Sequence, residues 1–492
     1  MADVVMRDAA LGGDPAGDGV LGLDRAVAGE IWTSERAHAD LEALCDTFGH
    51  RFAGSAGERG AAGFIQERLA RYGLSGVAAE PFRYVGWVRG AETLEVLAPV
   101  QRSLRALALP YCPAAEVEAV LRWAGDGEVE DYARAGAAKG HLRGAVVMTA
   151  AETTGRGGRP SSHRRDKYMR AVEAGAAAYL YVNQNPGDMP ITGGLPGGGR
   201  GPAPIPGLGL TFETGEFLRR LLKQGPVRLR LQTAATFPQV ESNNVFASLP
   251  ADPASPLAHE MVLVGAHYDS HDISPGALDN GAGVVITLEA ARALAAVARA
   301  RGRGFARTLR FCFFGAEEIG LLGSWEYVRT HAAELDRVRF MLNLDTVGRG
   351  LPGTEALIVN AAPELVPYFT RMTEAMGYRM EVRDRFTSSS DHFPFVMSGV
   401  PACGIGTTQL AASATMGLVG RGWGHTPADT FDKANSKSFQ SAAMVAARIL
   451  LRVAEATDWP GFRRSTAQIE RQLEQAGLLE GLRRSGRWPP PR

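Results

Sequence analysis

At 492 residues the chain is long for a single core, so two or three domains are expected. Its 53 basic residues balance 53 acidic ones, which argues against nucleic acid or an anionic membrane as a partner. Cys45, Cys112, Cys312 and Cys403 lie far apart with no Cys-x-x-Cys spacing, which disfavours a disulfide framework or a thiolate metal cage. The first thirty residues hold no apolar stretch of signal-peptide length, and no window approaches the roughly twenty apolar residues of a membrane span. A cytoplasmic location is therefore expected.

Residues 1–33 read as an N-terminal extension. From Ser34, which can cap, the spacing of Leu41, Leu44, Cys45 and Phe48 predicts a helix; Ala61, Phe64, Ile65, Leu69 and Tyr72 predict a second, stopped by Gly73. His50, between them, reads as a surface or packing residue. These helices belong to the first part of a main domain, 34–96. Over 97–233 the texture changes: short strand-like runs at 144–149 and 178–182 flank an apolar helix, and 185–209 is crowded with Pro and Gly. That last stretch reads as a long surface loop. The segment 97–233 is expected to fold as a separate inserted domain that walls one side of a cleft. The main domain resumes over 234–460, with strands at 244–249, 261–266, 308–314, 338–344, 356–359 and 400–405. Helices are expected at 284–299, ahead of Gly377 and over 439–457. Residues 461–492 form a basic helix or tail. Strands alternating with helices predict an α/β fold, a mostly parallel sheet flanked by helices, which gathers ligands at the carboxyl ends of its strands.

The apolar run 261–264 is followed by GAHYDSHDISPGALDNGAG, residues 265–283. If strand geometry persists past the run, His267 and Asp269 share one face, and an imidazole beside a carboxylate is how proteins fix a histidine for metal ligation. Asp279 precedes Asn-Gly-Ala-Gly, a stretch small enough for backbone to crowd against an ion. The strand over 308–314 runs into Gly315-Ala316-Glu317-Glu318, where adjacent carboxylates at a buried strand end are costly unless a cation compensates. As neighbours they diverge, so one can bind a metal while the other faces a water. The strand over 338–344 ends in Asp345, and His425 is followed by Asp429, a carboxylate able to orient it. Taken singly, each is also an ordinary structural pair, turn or cap. Together they supply two histidines, three carboxylates and a spare glutamate. Two divalent ions need such a set when one carboxylate bridges them.

HYDSHDISPGALDNGAG, FGAEEIGLLGS, NLDTVG, SSSDHFPF and HTPADTFDK resemble, in order, the blocks of the co-catalytic zinc exopeptidases, the aminopeptidase and glutamate carboxypeptidase superfamily. GHRFAGSAGERGAAGFIQERLARYGL, GWVRG and EAGAAAYLYVN are similar to its plasma glutamate carboxypeptidase branch, and the inserted segment resembles a protease-associated domain. The resemblance implies one ion held by His267, Asp279 and Asp345 and another held by Asp279, Glu318 and His425. It makes Glu317 the general base and acid and Asp269 the residue that orients His267. It places Asp391 and His392 in the substrate cleft and implies a cis peptide between Asp279 and Asn280. Tyr268 should point away from His267; His259, His271 and Asp272 match none of the blocks and are expected at the surface. The cofactors implied are two divalent metal ions, with zinc favoured over manganese or cobalt. The activity implied is that of an aminopeptidase or dipeptidase acting on a short peptide or dipeptide, with a homodimer left open. An acyl-transfer or cyclising enzyme on the same fold, and a non-catalytic peptide-binding relative, are the alternatives. The filled ligand and base positions disfavour the second.

Overall fold

Apolar runs sort this chain into two eight-stranded sheets. The computed structural model describes residues 15–151, 161–409, 418, 422–484 and 486–488; the first fourteen residues of the N-terminal extension and the last four of the basic tail lie outside the described residues. Strand β1 (Ser75–Val85) opens the larger sheet. The chain then leaves it for β2 (Val88–Ala98), β3 (Arg102–Ser103), β4 (Ala106–Ala108), β5 (Ala115–Trp123), β6 (Val146–Ala150), β7 (Ala178–Val182), β8 (Gly207–Leu210) and β9 (Arg228–Thr236). These build the second sheet in the order β3-β2-β9-β5-β6-β7-β8-β4. The chain returns with β10 (Gln239–Leu249), β11 (Met261–His267), β12 (Thr308–Phe314), β13 (Val338–Asn343), β14 (Glu355–Asn360), β15 (Glu381–Asp384) and β16 (Ala402–Thr407). The larger sheet therefore runs β1-β10-β12-β11-β13-β16-β14-β15.

That sheet is mixed. Its middle strands β12, β11, β13 and β16 are parallel, while β1, β10 and β12 pair antiparallel, as do β16 and β14. Every residue of β11 is buried, as a strand covered on both faces must be. The second sheet begins before the boundary expected at residue 97, because Val88 in β2 pairs with Thr236 in β9. Nothing in the alternation of β2 marks which sheet it joins; its partner strand decides.

The helix Ala282–Arg301 is apolar on nearly every face, so it packs as a core helix against β11 and the helices Arg36–Phe48 and Ser436–Glu455. The span Ala277–Arg301 is long and apolar enough to cross a membrane, contrary to the expectation that no window is, but 89% of that window is buried inside the fold. The helix Pro15–Trp32 carries Val27 and Ile31 into the same core, so this part of the expected extension packs with the larger sheet's layers. All four cysteines are buried and free.

Candidate metal centre and active site

Parallel register sets the site. His267, the last residue of β11, lies opposite Phe314, the last of β12, and Gly265 lies opposite Asn343, the last of β13. Three neighbouring strands thus deliver His267, the Glu317-Glu318 pair and Asp345 to one edge of the sheet, at the strands' carboxyl ends. Asp279 arrives from the turn Ala277–Gly281, which opens the core helix, and its peptide bond to Asn280 is cis, as expected. His425 arrives from the loop ahead of Ser436–Glu455 in the left-handed region, with φ 64°.

Two residues that the sequence does not mark fasten these arrivals. Asn280 Nδ2 donates to His267 O at 3.3 Å and Leu344 O at 2.9 Å, and its Oδ1 accepts from Gly283 N at 3.0 Å and Thr346 N at 3.1 Å. Arg51 is fully buried, and its Nε donates to Tyr268 O at 2.7 Å, its Nη2 to Gly276 O at 3.1 Å and its Nη1 to Pro275 O. A guanidinium whose donors serve backbone carbonyls leaves no spacing signal, so the loop 49–55 gave no hint of this role.

Asp279 turns one oxygen toward each histidine. Its Oδ1 is 3.4 Å from His267 Nε2, and its Oδ2 is 3.4 Å from His425 Nε2. Asp345 Oδ1 lies 3.5 Å from His267 Nε2, and Glu318 Oε2 lies 3.3 Å from His425 Nε2. These separations exceed good N–H···O bonds of about 2.7–3.2 Å. They match the edges of a tetrahedron, since bonds of about 2.0–2.2 Å to a central zinc put neighbouring donors roughly 3.3–3.6 Å apart. Glu318 Oε1 and Asp345 Oδ1 are buried without a hydrogen-bond donor among the described residues, a state that a cation relieves. The donors gather as His267, Asp279 and Asp345 and as His271, Glu318 and His425, two sets whose chemistry fits divalent cations. Glu317 belongs to neither donor group, yet it lines the same small gap of about 30 Å³ with Asp279, Glu318, Asp345 and His425.

Several expectations need correcting. His271 is buried, not superficial: its Nε2 is 3.0 Å from Glu318 Oε2 and its ring meets His425 edge-on at 4.5 Å. The chain turns after Asp269, so strand alternation no longer tells which way residue 271 points. Asp272 is held by Arg89, with contacts of 2.7 and 2.8 Å, whereas His259 is exposed as expected. Tyr268 does point away, its hydroxyl donating to Asn243 O at 2.9 Å. Asp269 presents its backbone O to His267 Nδ1 at 3.2 Å, with Oδ1 at 3.5 Å, and its carboxylate accepts from Glu317 N at 3.0 Å and Glu318 N at 3.2 Å. It positions both glutamates as well as the histidine. Asp429 does not reach His425; it accepts from Leu278 N at 2.8 Å and Asp279 N at 3.0 Å. The group at His425 Nδ1 is Thr192 O, 3.1 Å away, from the loop between β7 and β8.

That loop is not the surface loop its Pro and Gly content predicts, because Asn185, Ile191, Thr192 and Leu195 are buried. Asp391 is fully buried and His392 Nε2 is turned to Thr387 Oγ1 at 2.9 Å. Neither lines the gap, where Ser389, His163, Arg164 and Arg165 stand instead. Ser390 Oγ donates to Asp345 Oδ2 at 2.6 Å.

Electrostatics separates the paired glutamates. Burial pushes Glu317 well above the usual carboxylate range; the His267 imidazole opposes this, and the Glu318, Asp345 and Asp391 charges add to it. Burial also raises Glu318, but the His271 and His425 imidazoles outweigh it and hold the carboxyl well below the usual range. Burial alone would lower His267, yet the carboxylates of Glu317, Asp269, Asp279 and Asp345 hold it well above its ordinary value. Strongly displaced titrations in a cleft mark a reactive site.

The profile of "Peptidase family M28" matches residues 244–450, and that of the "PA domain" matches residues 113–218. Carboxypeptidase Q of Rattus norvegicus is 30% identical over 340 residues, 67% of this chain and 68% of that one. The chain belongs to peptidase family M28. It is a hydrolase acting on peptide bonds, with a protease-associated domain inserted in an α/β frame. Aminopeptidase YwaD of Bacillus subtilis (strain 168) is 31% identical to this M28 peptidase over 283 residues, 56% of this chain and 57% of the relative, so the match spans little more than half the relative's length. A solved zinc aminopeptidase from Bacillus subtilis shares 26% identity at a TM-score of 0.63, covering 86% of this chain and 95% of that one. The Peptidase M28 precursor from Shewanella amazonensis SB2B, at 24% identity and a TM-score of 0.77 over 91% of this chain and 100% of that one, shares the fold.

Proposed function

We propose that this M28 peptidase is a two-metal exopeptidase, an aminopeptidase or dipeptidase that hydrolyses short peptides. The observation that carries the reading is the carboxylate of Asp279, which faces His267 with one oxygen and His425 with the other. His267, Asp279 and Asp345 would hold one ion; Asp279, Glu318 and His425 would hold the other. Zinc suits this mixture of imidazole and carboxylate donors and is named for the Bacillus subtilis neighbour. When bound, such ions acidify water and supply positive charge where an oxyanion develops.

The remaining steps belong to the chain. Asp269 fixes the backbone of Glu317 and Glu318, so the two carboxyls diverge and only Glu318 meets the histidines. Glu317 accepts the proton of the attacking water and returns it to the leaving amine, a shuttle that suits a carboxyl whose pKa burial has raised. Thr192 O and the Asp269 backbone O hold the Nδ1 sides of His425 and His267, which leaves both Nε2 atoms facing carboxylates. The walls support end-directed cleavage. The loop of the inserted unit lies against the segment after Glu318, and the adjoining chamber of about 790 Å³ is of a size for a few residues, not a protein chain.

The test is mass spectrometry of products from matched short peptides with free, amino-blocked and carboxyl-blocked ends, before and after chelation. Trimming from one end that stops on chelation and returns with zinc is expected. Cleavage within doubly blocked peptides would contradict the exopeptidase reading, and turnover untouched by chelation would contradict the metal reading.

A further inference from the structure

Two spaces meet at Arg165. It lines the small gap that holds Glu317, Glu318 and Asp345, and it also lines the chamber of about 790 Å³ beside it. The chamber's wall comes from four parts of the chain: the inserted unit, the stretch after Glu318, Met397 with Ser398, and the C-terminal segment. Six arginines line it, Arg165, Arg200, Arg329, Arg463, Arg464 and Arg487, against one acid, Glu326, among the described residues. Half of these cations are answered by carboxylates: Arg329 pairs with Glu326 at 2.5 Å, Arg464 with Glu364 at 2.6 Å, and Arg463 with Asp336.

The other three are not. Arg165 and Arg200 make no ion pair among the described residues, and Arg200 is exposed. Arg487 Nη2 donates to Ser388 O at 2.6 Å, and its guanidinium lies over the Phe393 ring at 4.9 Å, so it is held in place without an ion-pair partner among the described residues. Burial, then the Arg165 charge, pushes Arg487 down to about 9; burial, then the Arg164 charge, pushes Arg165 down to about 10. The Glu317 and Asp166 charges act on both, and that of Glu318 on Arg165, without an ion-pair contact. Half-buried, unneutralised guanidiniums beside one another are costly alone and favourable around a planar anion, because each presents a fork of N–H donors matched to a carboxylate. The Ser388 anchor also ties Arg487 to the loop that carries Ser389 into the gap.

We infer that Arg165 and Arg487 form a carboxylate subsite for the peptide, so that this enzyme prefers short peptides carrying a carboxylate within a residue or two of the bond cut. This rests on the peptidase reading above. The carboxylate has two sources, the free carboxyl terminus or an Asp or Glu side chain, and substrates can separate them.

The experiment compares kcat/KM for Ala-Ala, Ala-Ala-amide, Ala-Glu-amide and Ala-Gln-amide, with the metal-loaded wild type, Arg165→Ala, Arg487→Ala and Arg487→Lys. The wild type should prefer a carboxylate-bearing member to its neutral partner by about tenfold or more. Preference for Ala-Ala over its amide identifies the terminus; preference for Ala-Glu-amide over Ala-Gln-amide identifies the side chain. Either ratio should fall towards one in both alanine variants and only partly in Arg487→Lys. The ratio is taken within each enzyme, so a variant that folds poorly loses rate on both members and leaves it unchanged. Ratios near one in the wild type, or ratios kept in both alanine variants, overturn the proposal. If the wild type cuts none of these peptides, the peptidase reading is what fails. Calorimetric titration of the same four peptides onto Glu317→Gln then judges the subsite alone, and acid members binding no tighter than amides overturn it.

Discussion

Glu317 and Glu318 are the same residue type side by side, and their surroundings alone set them apart. Two imidazoles hold the Glu318 carboxyl well below the usual carboxylate range, while burial and neighbouring carboxylates raise that of Glu317 well above it. The donor residues at the strand ends were legible in the sequence only as a set, because each alone is also an ordinary pair, turn or cap. His271, Arg51 and Asn280 were not, since each acts through a turn whose path no periodicity reports. Burial reaches further than the metal centre. Glu58 accepts from Gly54 N at 2.6 Å and from the Ser242 hydroxyl, and burial pushes its carboxyl up to about 8. An unfolded glutamate titrates near 4.3. Between about 4.3 and 8 the folded chain therefore binds more protons than the unfolded one, and stability is full below that window and falls as pH rises through it. Glu58→Gln keeps an acceptor for Gly54 and removes the titration. Denaturant unfolding at pH 5 and pH 8 should show the variant gaining on the wild type by on the order of 1–3 kcal/mol across that range. Parallel changes in the two proteins would mean Glu58 is ionised throughout.

At the scale of elements, the parallel strands β11, β12 and β13 carry the proposed ligands and the loop between β7 and β8 closes over them. The strands were readable from short β-rich apolar runs, and β12 falls on 308–314 as expected. The loop was misread because Pro and Gly usually mark surface, whereas here glycine allows backbone to approach backbone. A Cβ at Gly198 would sit 1.7 Å from Ile319 O, and one at Gly194 would sit 2.8 Å from Glu318 O. Gly198→Ala must therefore lift the loop from the segment that follows Glu317 and Glu318. Expected are a stability loss of about 1–3 kcal/mol, unchanged metal content and a clear fall in kcat/KM. Wild-type kinetics at a lowered Tm would leave the loop a support for the fold and not a wall of the cleft.

Across the whole molecule, two sheets share the site unequally. The larger sheet and its loops supply every proposed ligand, and the inserted unit supplies Thr192 behind His425 and Arg165 at the chamber. The insertion was visible as a change of texture, but the start of its sheet at Val88 was hidden because nothing in the alternation of β2 says which sheet it joins and only its pairing with β9 assigns it. The account's central claim is that Glu318 holds metal and Glu317 moves the proton. Metal content and turnover of Glu317→Gln, set beside Glu318→Ala, test it most directly. The account predicts that Glu318→Ala loses one ion together with activity. It predicts that Glu317→Gln keeps both ions and still binds peptide while turnover falls on the order of 10²–10⁴-fold, with no recovery at any pH. Loss of an ion from Glu317→Gln, or turnover close to that of the wild type, would contradict it.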